Sequence, residues 1–218
     1  MRGDRAGNRT IVHDCGHFAS SSSGLRACEG IFPEPRWRRL GVRSLGDYIL
    51  RDNPPAQQQP SPIRDLFFVP EVLPRDRHPF AASYVSRFTT MLIEPPIFLP
   101  AIMRDFLLRG GKNHVREFRE PRDLFQLEEK VVVNCGGLGT RALFGDAELT
   151  PIKGQLAIPL PQPEVDYILI KGDYCMFPRR DGIVLGGTRD RGEWRLDADP
   201  AVTDRILGNH RAIFEQMR

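Results

Sequence analysis

Between Val131 and Ala142 the chain reads V-V-V-N-C-G-G-L-G-T-R-A, an apolar β-branched run that breaks into glycines and opens a predicted helix. Glycine has no Cβ, so main chain there can come close to a phosphate or sugar, and a helix start offers unpaired N–H donors. Gly137, Gly139 and Ala142 fit the G-x-G-x-x-A spacing of a dinucleotide-binding turn. A first turn of that kind is followed by a second strand ending in an acidic residue about 20 positions on. Here the chain passes Asp146, Glu148 and Pro151 and enters Lys153-Gly154-Gln155 instead. On spacing alone, the glycines read equally as a tight strand-to-helix turn.

Other groups with chemical potential read more simply. His13, Cys15 and His17 lack further clustered ligands, so no metal site is expected. Cys15, Cys28, Cys135 and Cys175 show no C-x-x-C spacing, and Cys135 and Cys175 sit in apolar runs as small buried thiols. Arg179 and Arg180 read as solvated hairpin residues, and Asp105 and Glu94 as helix-surface or strand-end charges. The acids from Asp190 to Asp199 face water around Trp194, which anchors strand to helix.

The elements that must position these residues follow from periodicity and punctuation. A short strand is predicted at Leu45 to Leu50, a proline-rich loop at Pro54 to Pro62, and a strand at Arg87 to Glu94 stopped by Pro95 and Pro96. Leu99 to Leu108 follows as a helix with Leu99, Ile102 and Phe106 on one stripe, ended by Gly110-Gly111. Strands at Asn113 to Phe118 and Lys130 to Cys135, with a helical turn at Arg122 to Leu127 between them, complete a β-α-β-α-β order that implies parallel strands. Close-set strands come next: Gln155 to Leu160, Tyr167 to Lys171, Tyr174 to Pro178 and Gly182 to Gly187, the last two joined by a hairpin at Asp181-Gly182. Asp197 or, more naturally, Asp199 caps a final helix from Pro200 to Met217, with Ile206, Ile213 and Phe214 as its apolar face.

Composition sets the outer bounds. The 218 residues suffice for one ordinary core or two small domains. Thirty-one Lys and Arg against 28 Asp and Glu give +3 with both signs mixed, so no basic tract marks a nucleic-acid surface. No run reaches a membrane span, the first ten residues lack a secretion signal's apolar core, and cysteine usage fits a reducing compartment; the reading is a cytoplasmic protein.

Four pieces of the sequence, in their order and spacing, resemble the D-amino-acid oxidase family of FAD-dependent oxidoreductases. They are R-F-T-T-M-L-I-E-P-P-I-F-L-P from Arg87, V-V-V-N-C-G-G-L-G from Val131, the P-I-K-G-Q turn from Pro151, and M-F-P-R-R-D-G-I-V-L-G-G-T from Met176. The resemblance runs from about Leu45 to the end. It implies an α/β (α+β) chain in which a partial FAD-binding β-α-β sheet joins a mostly antiparallel substrate-binding sheet. Residues 1–44 are then an irregular N-terminal segment, 45–96 and 155–198 the substrate part, and 97–154 and 199–218 the FAD part. It also implies FAD contacts at Cys135, Gly136, Gly137 and Gly139, with Phe118 offering main chain to the adenine. The family usually has threonine where this chain has Gly136, which removes one hydroxyl contact.

The implied chemistry moves hydride from the α-carbon of a D-amino acid to flavin, gives an imino acid that hydrolyses, and returns the electrons to oxygen as hydrogen peroxide. Tyr174 lies at the strand that carries the family's substrate tyrosine, while strict counting from Pro178 puts Cys175 at that position; one residue on a strand changes the face. The family's arginine clamp falls beyond Arg218, and its N-terminal glycine fingerprint has no counterpart here, so the chain is expected to be truncated at both ends, with FAD binding weakened by about 1.5–3 kcal/mol for each charge-assisted bond lost. Three further expectations remain: a non-catalytic remnant or assembly module lacking FAD, a homo-oligomer formed through exposed sheet edges, and a related glycine or secondary-amine oxidase.

Overall fold

The structure, a computed structural model, describes residues 34–55 and 70–217. The expected loop at Pro54 to Pro62 lies mostly outside the described residues, as do His13, Cys15 and His17. A short helix α1 (Glu34–Arg39) leads through Gly41 into strand β1 (Val42–Arg51), so helix and strand occupy the described end of the stretch 1–44 that was expected to be irregular. Gly41 has φ +70°, and a Cβ there would lie 2.7 Å from that of Ile97; the turn requires glycine.

Short β2 (Glu71–Leu73) and long β3 (Tyr84–Ile93) follow, then helix α2 (Pro95–Leu108). Pro95 and Pro96 end the strand and also suit a first helical turn, whose N–H groups need no intrahelical acceptor. Later elements are α3 (Gly139–Phe144), β4 (Ile152–Lys153), β5 (Tyr167–Lys171), β6 (Tyr174–Arg179), β7 (Gly182–Gly186), β8 (Asp190–Arg191) and α4 (Pro200–Glu215).

Six strands form one mixed sheet in the order β2-β3-β1-β5-β6-β7, and β4 pairs with β8 separately. Among the described residues only β1 and β5 run parallel; the other pairs are antiparallel. The register puts Leu50 opposite Val85, Tyr48 opposite Leu169, Leu169 opposite Met176, and Met176 opposite Leu185. These residues, with Ile206 and Ile213 of α4, form the main core on one face of the sheet. Alternation sends Asp47, Ile168, Cys175, Phe177 and Val184 to the opposite face.

Two expected strands do not form. Asn113 to Phe118 and Lys130 to Cys135 are irregular and pair with no strand among the described residues. Val131, Val132 and Val133 are 80%, 48% and 79% exposed, so β-branched composition without a neighbouring strand yields no buried strand. The apolar stripe of α2 exists, yet Leu99, Ile102 and Phe106 are exposed and only Ala101 is buried. Gln155 to Leu160 reduces to one bridge, Ala157 to Leu185, because Pro159 and Pro161 supply no amide donors.

Candidate functional site

The glycine stretch is organised by Asn134. Its Oδ1 accepts the Gly136 N–H at 3.0 Å and the Thr140 hydroxyl at 3.2 Å, so one side chain spans the turn into α3. A Cβ on Gly136 would lie 2.8 Å from Thr140 Oγ1 and 3.1 Å from Asn134 Oδ1. Glycine here thus makes room for a hydrogen bond inside the loop. Gly137 supplies the positive φ of +53° that the turn needs. The Gly139 and Thr140 N–H groups donate to the carbonyls of Gly136 and Gly137, both at 3.1 Å.

Cys135, Gly136, Gly137 and Gly139 are all exposed, and among the described residues nothing lies within 4 Å of the place a Cβ on Gly139 would occupy. Cys135 is therefore not the buried thiol expected. Side chains of Asn134 and Thr140 lie beside Gly136, while the places of a Cβ on Gly137 and Gly139 are open among the described residues. Phe118 is half-buried beneath the Arg116 guanidinium, 5.3 Å from its ring centroid, and no hydrogen bond or ring contact among the described residues joins it to 135–139.

The α3 helix is tied to the remainder of the molecule by Arg141. Its Nη1 donates to the carbonyls of Ala147 and Leu149, each at 2.6 Å, and its guanidinium lies 5.7 Å from the Trp194 ring centroid. Trp194 thus anchors the loop before α4 to the glycine segment. Nearby, Gln155 of the Lys153-Gly154-Gln155 turn is clamped on all sides. Its amide donates to Thr188 Oγ1 at 2.7 Å, its Nε2 donates to the Asp199 carbonyl and Thr203 Oγ1 at 2.8 Å, and its Oε1 accepts the Asp199 N–H at 2.9 Å. Asp199 Oδ1 caps α4 by accepting the Ala201 N–H at 2.9 Å, as its position before Pro200 predicts.

Tyr174 and Cys175 are brought to opposite faces of β6. The Tyr174 ring packs edge-on to His210 of α4 at 5.7 Å, on the core side, and lines a cleft of about 680 Å³ with Arg51, Lys171 and Asn209. Cys175 is buried on the other face.

Three functional-looking groups escaped the sequence reading. Asp47, 3% exposed, has an Oδ1 with no hydrogen-bond partner among the described residues, and burial raises its carboxyl to about 7. The signal was its place between Leu45 and Ile49 on one strand face. Glu94 is no surface charge: it is buried, pairing with Arg43 Nε at 3.3 Å and accepting the Arg180 N–H at 3.0 Å. Arg180 and Arg43 thereby pin the β6–β7 hairpin to the start of α2. His210 is buried at a core position of α4 between Ile206 and Ile213, where a polar residue in an apolar stripe was the available clue.

Residues 34–218 match the family described as FAD dependent oxidoreductase. D-aspartate oxidase of Homo sapiens is 34% identical over 124 residues, covering 55% of this chain and 35% of that protein. A D-amino acid oxidase of Dugesia ryukyuensis is 31% identical over 140 residues, covering 63% and 42%, and a D-amino-acid oxidase of Rubrobacter xylanophilus is 29% identical over 137 residues, covering 61% and 41%. The chain thus spans roughly two fifths of the length of the curated relatives it matches. No helix among the described residues is long and apolar enough to cross a membrane.

Proposed function

Because the chain belongs to the family of FAD dependent oxidoreductases, matched from residue 34 to 218, we propose that it works in the oxidative deamination of D-amino acids. FAD, when bound, accepts hydride from the substrate's α-carbon and delivers the electrons to oxygen as hydrogen peroxide. The observation that carries the reading is the uncovered main chain from Cys135 to Gly139, shaped by Asn134 and open around Gly139. A flavin nucleotide would lie along this strip, with Phe118 as a second contact. Its polar groups would meet main chain, which needs no side-chain reorganisation to receive it.

The substrate would be met from β6, through Tyr174 at the cleft, with Cys175 buried on the opposite face as the alternative position. In this reading residues 45–96 and 155–198 form the substrate part and 97–154 with 199–218 the cofactor part. The strands support the first part of that grouping, since β2, β3, β5, β6, β7 and all but the first three residues of β1 come from the first two stretches, while α4 packs on the same sheet. Purified protein is titrated with FAD and assayed for D-amino-acid-dependent peroxide, with D-aspartate, D-alanine and glycine compared. Saturable flavin binding with peroxide from a D-amino acid supports the proposal; neither signal refutes it.

A second reading, an assembly module, draws on the exposed Val131–Val133 run and the uncovered apolar side of α2. Concentration-dependent oligomers without flavin binding would favour it.

A further inference from the structure

Buried residues of α4 recur as Ile206, His210 and Ile213, one stripe facing β6 and β7. An imidazole in such a stripe is costly unless its nitrogens are hydrogen-bonded. Each nitrogen faces a carbonyl oxygen, so a neutral ring, with its single N–H, donates to one of the two. Nδ1 lies 2.8 Å from the Ile206 carbonyl, one turn earlier on the same helix, and Nε2 lies 3.2 Å from the Cys175 carbonyl on β6. The first contact is available to many helical histidines; the second joins two elements 35 residues apart in sequence. The same ring packs edge-on to Tyr174, whose ring also lies over Gly187 where a Cβ would be 2.5 Å away. His210 thus touches the main chain of one candidate substrate residue and the side chain of the other.

We propose that His210 is a positioning residue that fixes β6 at Tyr174 and Cys175 by donating Nε2–H to the Cys175 carbonyl. The inference rests on the substrate reading of β6 given above. Side-chain direction on a strand follows the backbone, so the peptide that carries the Cys175 carbonyl aims Cys175, while the edge-on contact with the imidazole holds the Tyr174 ring. A neutral imidazole has one N–H, and only the Nε2–H tautomer ties helix to strand.

Glutamine and asparagine separate the two nitrogens, because glutamine's amide reaches to about the place of Nε2 and asparagine's to that of Nδ1. Hydrogen exchange of the segment 174–179 is measured by mass spectrometry in H210Q, H210N and H210L, the last filling the stripe without a donor. The expected result is exchange about fivefold to tenfold faster in β6 for H210N and H210L, little changed in H210Q, with β1 and β3 unaffected in all three. D-alanine affinity in the presence of FAD, measured by calorimetry, is expected to weaken about tenfold in H210N and return in H210Q. Equal exchange in H210Q and H210N, or slow exchange in H210L, overturns the proposal. A wild-type protein that binds no D-alanine counts against the functional reading alone, and the exchange pattern still decides the role of His210.

Discussion

Replacing Asp47 by asparagine changes one atom and removes a buried charge. Asp47 stands on β1 between Phe88 of β3 and Ile168 of β5, neither of which can hydrogen-bond its carboxyl. Burial raises that carboxyl from an ordinary value of 3.8 to about 7. Below pH 4 the folded and unfolded chains both hold the proton and the difference costs nothing. Between about 4 and 7 the unfolded chain releases the proton while the folded chain keeps it, so stability falls as pH rises. At about 1.4 kcal/mol per pH unit the loss approaches 4 kcal/mol, an upper figure that relaxation around the charge reduces. Above pH 7 both states are ionised and the loss stays constant. Urea unfolding of wild type and D47N from pH 5 to 8.5 reads this directly. Wild type is expected to lose up to about 2.7 kcal/mol across this range relative to D47N, from the two pH units between 5 and 7. Parallel pH profiles for the two proteins would refute the reasoning.

Further expectations concern the hairpin that frames β6. Gly182 has φ +148°, and a Cβ there would meet Ile158 Cγ2 at 2.5 Å and the Pro159 carbonyl oxygen at 2.8 Å, so G182A is expected to cost about 1–3 kcal/mol in thermal or urea unfolding. An unchanged midpoint would show that the 155–160 segment does not press on β7. E94Q leaves Arg43 and Arg180 without their anion; since both guanidiniums reach water, a loss of about 2 kcal/mol is expected, below the range for fully buried pairs. No loss would mean that the hairpin is held without Glu94.

Local signals made much of the fold legible. Asp199 before Pro200 marks a cap, the hairpin at Asp181-Gly182 marks β6 and β7, and the proline pair after Ile93 ends a strand and begins a helix. The FAD dependent oxidoreductase family was legible in the same way, from four ordered motifs. Strands at Asn113 to Phe118 and Lys130 to Cys135 failed because a strand is a property of a pair. Valine composition reports willingness to pair, while the sequence of one segment says nothing about whether a neighbour is present. Asp47, Glu94 and His210 stayed hidden for a related reason: their environments are assembled from strands and helices far apart in sequence, as with Glu94 and Arg180.

The central claim is that flavin nucleotide lies against the main chain of Cys135 to Gly139. Gly139 offers the most direct test, because a Cβ there meets nothing within 4 Å among the described residues, while a side chain would occupy the ligand's place. Fluorescence titration with FAD is carried out on wild type and G139L, with thermal unfolding of both alongside. The account predicts saturable binding by wild type, an unfolding midpoint for G139L equal to or above wild type, and at least about tenfold weaker FAD binding by the variant. FAD binding that is identical in the two proteins, or absent from wild type, would contradict it.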